Sequence, residues 1–200
     1  TVVLAIASVT RGTPDVMVLA GVALSSLFTA GTMFLQYFAD DSQLAATVFW
    51  TFGDVSRASW RDAPIMGGLL LASFCLFFAR RFDLNAIDSG DETALSLGVS
   101  APRIRLEAMV VSSLLASVTV ALLGVIGFVG LVSPHMLRRF LGSDHRFLVP
   151  GSVLAGGLLL LAADTAARLA FAPRTLPVSV FTAFLGAPVF LALIARRRRP

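Results

Sequence analysis

Long apolar stretches alternate with short polar segments along this chain, and the lengths of the apolar stretches predict which of them cross a membrane. A hydrocarbon core about 30 Å thick needs about 20 helical residues. The stretches of that approximate length are Asp15 to Phe38, Pro64 to Ala79, Leu106 to Leu123, Pro150 to Phe171 and Pro177 to Ala195. The pattern therefore predicts an all-α polytopic membrane protein with about five spanning helices.

One apolar region is interrupted by glycine and proline. The stretch "GVIGFVGLVSPHMLRR" contains apolar pieces too short to span, and its glycines allow close backbone packing. Ser133-Pro134 has the residue types of a helix N-cap followed by proline at the first helical position. Because backbone at membrane depth must be hydrogen-bonded within the protein, we expect a loop or re-entrant turn that leads into a half-helix starting near Pro134. An ordinary hairpin between two helices is the alternative.

Composition supports a membrane protein and charge orients it. Of 200 residues, 56% are hydrophobic and 14% charged, with a mean hydropathy of +0.84, outside the usual range of soluble domains. The basic residues are all arginine, and the positive-inside rule assigns their clusters to the cytoplasm, so the net charge of +4 requires no nucleic-acid partner. Residues 39–62 are then external. The cytoplasmic clusters are Arg11, Arg80-Arg81, Arg103, Arg105, Arg138-Arg139, Arg146 and Arg196 to Arg199.

The polar segment Leu84 to Arg105, "LNAIDSGDETALSLGVSAPRIR", separates two of the predicted spans. We expect it to hold a short cytoplasmic helix with its N-cap at Asp88-Ser89, two carboxylates in its first turn and its C-terminal stop at Gly98. Its apolar side, made of Ala94, Leu95 and Leu97, is too small to anchor in lipid and suits a groove on a partner protein. A solvated connecting loop is the alternative.

A few side chains are candidates for chemistry. Asp164 and Arg168 form an i, i+4 pair in an apolar helix, where charges are costly enough to require a role. His135 has no second metal ligand nearby in sequence, so a structural hydrogen bond is the favoured interpretation. Cys75 has no partner for a disulfide. The sequence contains no phosphate-binding loop, nucleophile elbow or zinc motif, so we predict no catalytic residue, metal site or cofactor.

Several motifs in order resemble one transporter family. "LNAIDSGDETALSLGV", the interrupted stretch just described, "LPVSVFTAFLGAPVFLALIARRR", the external "FWTFGDVSRASW" and the early "LAGVALSSLF" are similar to permease subunits of the iron-siderophore, haem and cobalamin importers, which are binding-protein-dependent ABC transporters. The resemblance implies that residues 1–200 form a single transmembrane permease domain, the C-terminal part of a ten-helix permease. It also implies a multi-pass location in the bacterial cytoplasmic (inner) membrane.

The resemblance also assigns roles to residues. It implies that residues 84–101 form a cytoplasmic loop that couples the permease to an ATPase, with the docking surface on Gly90, Glu92, Ala94, Leu97 and Gly98. It implies docking of an external binding protein on Arg168, with weaker support for Arg57, Arg61 and Arg174, while the Asp164–Arg168 pair has a purely structural role as its alternative. We expect the transport pathway to include Thr13, Ser25, Ser26 and Thr29.

The implied partners are two ATPase subunits, a second permease copy or a paralogue, an extracytoplasmic substrate-binding protein, a metal-chelate substrate and the lipid bilayer. Ferric siderophore is favoured over haem or cobalamin because siderophore systems are the commonest in the family. The alternative function is a secondary active transporter with a substrate site at the broken helix, which needs coupling-ion carboxylates at the membrane midplane. A membrane-embedded enzyme is a third possibility, but no nucleophile and base pair is evident.

Overall fold

The computed structural model describes residues 14–170 and 176–197, with side chains described for residues 19–170 and 176–190. The chain divides into two compact units, Thr1–Trp50 and Thr51–Pro200. The described residues form nine α-helices and one 3-10 turn and contain no β-strand. The predicted all-α class is confirmed.

The first unit contains helix α1, Pro14–Tyr37, followed by helix α2, Asp41–Thr51. The part of α1 from Leu19 to Tyr37 is long and apolar enough to cross a membrane. Its large side chains are exposed, with Phe28 and Leu35 each 72% accessible. An apolar helix with so little buried surface is suited to contact with lipid or with another subunit.

The second unit begins with the 3-10 turn Val55–Arg57 and continues with seven helices. These are α3 (Ala63–Ala79), α4 (Arg81–Asp88), α5 (Asp91–Ser96), α6 (Ala101–Leu123), α7 (Val129–Leu141), α8 (His145–Ala170) and α9 (Val178–Arg197). Two helices start with proline in the first turn, Pro64 in α3 and Pro102 in α6, where a missing backbone N–H costs no helical hydrogen bond.

Three described helices are long and apolar enough to span by themselves: α1, α6 and α8. A fourth span is possible if α3 and α4 are taken together, although the chain bends by 57° between them at Arg80. The described apolar part of α9, Val178–Phe190, is shorter. The helices agree with the predicted apolar stretches within a few residues at most ends, and α6 and α8 begin five residues earlier than hydropathy indicated.

Glycines allow the last three helices of the second unit to pack closely. On α8, a Cβ added to Gly151 would lie 3.2 Å from Leu141 and 3.3 Å from Leu137 of α7. On α9, Gly186 lies directly against the side chain of Phe128. Small residues that let helix backbones approach are the usual basis of helix association in membranes.

The predicted interruption is present, but the half-helix starts earlier than expected. Residues 124–128 are not helical, and α7 begins at Val129, so the prediction of a start at Ser133-Pro134 is wrong. Ser133 does not act as an N-cap, because its hydroxyl donates back to the Val129 carbonyl at 2.7 Å inside the helix. Phe128 takes the N-cap position with φ 67°, in the left-handed region that non-glycine residues rarely adopt.

The interrupted backbone is satisfied by other segments of the second unit. The Asp54 N–H donates to the Leu123 carbonyl at 2.9 Å, Phe52 forms a parallel bridge with Val125, and the Ser179 N–H donates to the Gly53 carbonyl at 3.1 Å. These bonds supply the protein partners that non-helical backbone needs at membrane depth.

Candidate functional site

The polar segment forms two short helices instead of the single helix predicted. Asp88 is the last residue of α4 and Ser89 is its C-cap, so the expected N-cap at Asp88-Ser89 is wrong. Gly90, with φ 114°, is the N-cap of α5. This backbone conformation is accessible to glycine and strained for other residues, and it lets the chain change direction between the two helices.

The predicted stop at Gly98 is confirmed. Gly98 has φ 77°, its N–H donates to the Leu95 carbonyl at 2.9 Å, and the Val99 N–H donates to the Ala94 carbonyl at 2.8 Å. These two bonds form a Schellman motif, which ends a helix in a defined direction. The short helix α5 is therefore held between two glycines with positive φ.

The apolar residues of α5 do not share one face. Ala94 is completely buried within the chain, while Leu95 and Leu97 are 73% and 67% exposed. The expectation that Ala94 belongs to a docking surface is therefore wrong, and Leu95 lies where a partner could reach it. Glu92 is exposed as well. Leu95, in this six-residue helix, and Leu97, its C-cap, form a small exposed apolar surface outside the predicted spans, without a partner in the described chain.

Ion pairs fasten the polar segment to the spanning helices. Arg105 of α6 binds Asp91 of α5 through both guanidinium nitrogens, at 2.8 and 3.0 Å. Arg80, at the bend between α3 and α4, contacts Asp83 at 3.2 Å and Glu107 of α6 at 3.1 Å. The bidentate geometry fixes the direction of α5 relative to α6.

The opposite face of α4 contacts the start of α8 and the end of α7. The Asn85 amide donates to the Asp144 carboxylate at 2.8 Å, and its oxygen accepts from the His145 backbone N–H at 2.8 Å. Asp88, one turn further along α4, lies 3.8 Å from both Arg138 and the His145 ring. Asn85 was not among the residues predicted from the sequence. Its signal was its place three residues before Asp88, which puts both on one helix face.

Electrostatics at this contact favour an ionised carboxylate. The pKa of Asp144 lies below its ordinary value, first because the Asn85 amide donates to the carboxylate and second because the Arg146 backbone N–H also donates to it, at 2.9 Å. Both hydrogen bonds are stronger to the charged form than to the neutral acid. Asp144 therefore acts as a charged N-cap for α8.

Arg168 and Asp164 lie near the end of α8 that is remote from Asn85. The Arg168 Nε is 2.8 Å from an Asp164 carboxylate oxygen, and the side chains are 52% and 17% exposed respectively. Arg168 thus combines an intrahelical ion pair with an accessible guanidinium. Arg57 lies in the 3-10 turn that Asp54 caps by accepting from the Ser56 N–H at 2.9 Å. Arg61 lies just before α3, and Arg174 lies outside the described residues.

The expected pathway residues lie on α1, in the first unit. Ser26 donates to the Val22 carbonyl at 2.9 Å and Thr29 donates to the Ser25 carbonyl at 2.8 Å, so these hydroxyls are bonded within their own helix. Ser25, Ser26 and Thr29 are exposed, and Thr13 lies outside the described residues. Hydroxyls already bonded to the backbone present a weakly polar surface.

No metal site is visible among the described residues, where no three His, Cys, Asp or Glu side chains cluster. The second unit contains an apolar cavity of about 440 Å³ between α7, α8 and α9. Its lining includes Phe128, Val132, Met136, Ala163, Thr182 and Gly186. Because α8 runs from the Asn85 contact to this cavity, movement of its start could change the shape of the cavity wall.

Comparison with known proteins gives consistent results. Residues 1–196 match the FecCD transport family. A protein described as an ABC transporter permease of Methanocaldococcus jannaschii is 56% identical over 195 residues, which are 98% of this chain and 56% of that protein. The haemin transport system permease of Yersinia pestis is 41% identical over 182 residues, covering 91% of this chain and 54% of that protein.

A further curated relative and a solved structure are also similar to this chain. The vitamin B12 import system permease of Vibrio cholerae is 39% identical over 187 residues, covering 90% of this chain and 54% of that protein. A solved inward-facing structure of a metal-chelate type ABC transporter matches with a TM-score of 0.87 at 29% identity, covering 97% of this chain and 63% of that one. The chain spans about half the length of the curated relatives described here.

Proposed function

Because the chain belongs to the FecCD transport family, a family of multi-pass permeases in the cytoplasmic membrane, we propose that it serves as part of the membrane-spanning permease of an ABC importer for metal chelates. The observation that carries the proposal is the agreement over residues 1–196 of a family match with a fold match to a metal-chelate transporter. The permease does no covalent chemistry in this proposal. It provides a pathway, and ATP is hydrolysed by separate subunits.

The polar segment is the proposed contact with the ATPase. Helix α5 exposes Leu95, and its C-cap Leu97 is exposed as well. The helix is oriented by the Asp91–Arg105 pair and by Gly90 and Gly98. Insertion of a small apolar helix into a groove is a common mode of protein recognition. Two ATPase subunits would each bind one such segment, one from this permease and one from a second permease copy or a paralogue.

The proposed topology places the polar segment in the cytoplasm. Arginines contact this segment and the helices beside it: Arg105 pairs with Asp91, Arg138 lies 3.8 Å from Asp88, and Arg80 pairs with Glu107. A positively charged end of a helical membrane domain is typical of the cytoplasmic side. The opposite end, which holds the Asp164–Arg168 pair, would then face the external binding protein.

We further propose that the transported chelate is a ferric siderophore, with haem and cobalamin as the competing substrates. Relatives named for haemin and vitamin B12 transport support the chelate class. The weakly polar hydroxyls Ser25, Ser26 and Thr29, with Thr13, are the proposed pathway residues. A pathway for a bulky chelate needs surfaces that do not bind it tightly, and hydroxyls bonded to their own helix meet that need.

A secondary transporter has less support. That mechanism needs a carboxylate available to a coupling ion inside the membrane. The candidate Asp164 is instead held at 2.8 Å by Arg168, one turn away on the same helix. An ion-paired carboxylate that must first release arginine is poorly suited to bind a coupling cation.

The test is reconstitution of the complete permease with its ATPase subunits and its binding protein in lipid vesicles. We expect uptake of ferrichrome that requires both ATP and the binding protein, with haemin and cyanocobalamin as competing substrates in parallel assays. Uptake driven by an ion gradient without ATP would favour the secondary transporter. Failure of the ATPase to co-purify with the permease would contradict the proposed function.

A further inference from the structure

The start of α8 is capped by two side chains, one of them from a distant part of the chain. Asp144 is the local cap, since its carboxylate accepts from the Arg146 N–H at 2.9 Å and its carbonyl accepts from the Leu148 N–H at 2.9 Å. The His145 N–H is satisfied instead by the Asn85 oxygen at 2.8 Å, from 60 residues earlier in the chain. Unsatisfied N–H groups at a helix start are costly, so this second bond is a specific link between α4 and α8.

Asn85 uses both ends of its amide in this link. Its oxygen accepts from the His145 N–H and its nitrogen donates to the Asp144 carboxylate, each at 2.8 Å. A side chain of this length needs both a donor and an acceptor to make these two bonds, and asparagine alone supplies them. Asn85 is also the only asparagine in the sequence. The pair of bonds fixes both the position and the direction of the start of α8 relative to α4.

Ionic contacts on the same face of α4 reinforce the link. Asp88 is one turn from Asn85 and lies 3.8 Å from Arg138 at the end of α7 and 3.8 Å from the His145 ring. At these distances the contacts are weaker than the Asn85 hydrogen bonds and less dependent on direction. Asn85 therefore determines the geometry of the contact, and Asp88 adds attraction.

The link connects the proposed ATPase contact to the helices around the cavity. Helix α4 leads through Gly90 into α5, where Leu95 is exposed, while α8 is 26 residues, about 39 Å, long and carries Asp164 and Arg168 near its other end. Along that length α8 packs on α7 and α9 and contributes Ala163 to the cavity wall. A displacement of α5 can reach the membrane helices through this contact because packed helices move as units.

We infer that Asn85 is a positioning residue that transmits movement of the ATPase-docked segment α4–α5 to the start of α8. The inference rests on the proposed function, because it needs an ATPase bound at α5. The His145 N–H needs only an acceptor, so capping alone would not require the donor that α4 presents to the Asp144 carboxylate. The bidentate amide is the feature that couples the two elements.

The test measures whether a nucleotide-induced change in α5 also reaches the start of α8. Backbone-amide hydrogen exchange is followed in the complete permease–ATPase complex, with and without trapping by MgATP and vanadate. In the native complex we expect trapping to alter exchange both in α5 and at residues 145–148. In Asn85→Leu, which keeps the branched side-chain shape but removes every polar contact of the amide, including that to the His145 ring nitrogen at 2.9 Å, α5 should still respond while the response at residues 145–148 is lost.

Two further variants keep the test decisive. The exchanged pair Asn85→Asp with Asp144→Asn restores a hydrogen bond between these positions with donor and acceptor reversed, and it should recover the response at residues 145–148. Ser89→Ala removes a hydroxyl that only contacts the Asn85 carbonyl, at 3.1 Å, and should behave as native. Without trapping, the His145 amide should exchange about fivefold faster in Asn85→Leu, the factor expected from one lost cap bond. If Asn85→Leu fails to fold, Asn85→Ala, which also removes every polar contact of the side chain, replaces it in the comparison.

The outcomes separate the inference from the proposed function. A response at residues 145–148 that persists in Asn85→Leu, or in Asn85→Ala where that replaces it, would overturn the positioning role while leaving ATPase docking in place. The same holds if α5 responds in the native complex and residues 145–148 do not. Absence of any response in α5, or loss of ATPase co-purification in the native complex, would overturn the proposed function itself. Loss in Asn85→Leu with recovery in the exchanged pair supports the inference.

Discussion

At the first end of the second unit, which contains the starts of α6 and α8, charged and amide side chains link the helices. At the second end, which contains the end of α6, backbone groups and a glycine make the links. The first end has the Arg105–Asp91 bonds at 2.8 and 3.0 Å and the two Asn85 bonds at 2.8 Å. The second has the backbone bond from Asp54 to Leu123 and the close approach of Gly53 to Val125.

The difference indicates which end can be rearranged. The ion pairs at this end join half-exposed groups and can exchange partners, since surface ion pairs contribute about 0 to 1 kcal/mol each. The part-buried Asn85 bonds keep α4 and the start of α8 together. Backbone bonds around a glycine without space for a Cβ require one arrangement. The end that holds the polar segment is therefore suited to movement on partner binding, and the other end is suited to hold the helices in place.

The largest expected effect comes from Gly53, because a Cβ there would overlap the Val125 carbonyl and the Ile126 side chain. Gly53→Ala should destabilise the fold by about 3 kcal/mol, as expected for overpacking against backbone. The measurement is the fraction of detergent-solubilised permease that stays monodisperse after heating. Gly127→Ala is the matched control, since a Cβ at Gly127 meets nothing within 4 Å. If both variants lose the same fraction of monodisperse permease, the second end does not depend on the absence of a Cβ at Gly53.

The next effect concerns the exposed leucines of α5. Leu97→Arg should leave the membrane domain folded, because Leu97 is 67% exposed, and should reduce ATPase assembly. An unpaired charge buried at an interface costs about 3 kcal/mol or more, so assembly should weaken roughly a hundredfold. Co-purification of the ATPase with the complete permease is the measurement, and Ser100→Arg is the nearby exposed control. Normal assembly of Leu97→Arg would make the polar segment a connecting loop.

A smaller effect is expected at the end where α8 carries Arg168. Arg168→Glu should weaken docking of the binding protein about tenfold at low salt, since rim charges mainly affect steering and orientation. ATPase co-purification should not change. Binding of the purified binding protein to the complete complex in nanodiscs is the measurement, with Arg146→Glu at the opposite end as the control. Unchanged docking in Arg168→Glu would leave Arg168 with only its ion pair to Asp164.

Hydropathy predicted most of the fold because lipid requires about 20 apolar residues in each span, and that requirement is local. It placed the start of α6 too late because Arg103 and Arg105 end the apolar stretch without ending the helix. The predicted start of the half-helix was wrong because Ser133 hydrogen-bonds within its own helix. The true break, at Val125, is packed against Gly53, which is distant from it in sequence.

The candidate site was predicted less completely for the same reason. Gly98 was identified because a glycine stop is a local signal, and its Schellman bonds involve only neighbouring residues. The burial of Ala94 and the contacts of Asn85 depend on helices that fold back from elsewhere in the chain. Local patterns cannot show which face of a short helix such contacts will cover.

The smallest expected effect is the response of the first end to acid, and its direction follows from the pKa of Asp144. Hydrogen bonds from Asn85 and Arg146 lower that pKa below the ordinary value of 3.8. The stabilisation is therefore fully present above about pH 4 and disappears as the pH falls through the lowered pKa, because the acid form accepts these bonds poorly.

Native protein should consequently be more stable than Asp144→Asn at pH 6, and the difference should shrink as the pH approaches 3. Thermal unfolding in nanodiscs across this range is the measurement, and Asp41→Asn, at an exposed carboxylate at the start of α2, controls for general carboxylate protonation. A difference that grows as the pH falls would mean that the Asn85–Asp144 bond does not favour the charged carboxylate, and the first end would then be held by the backbone, as the second is.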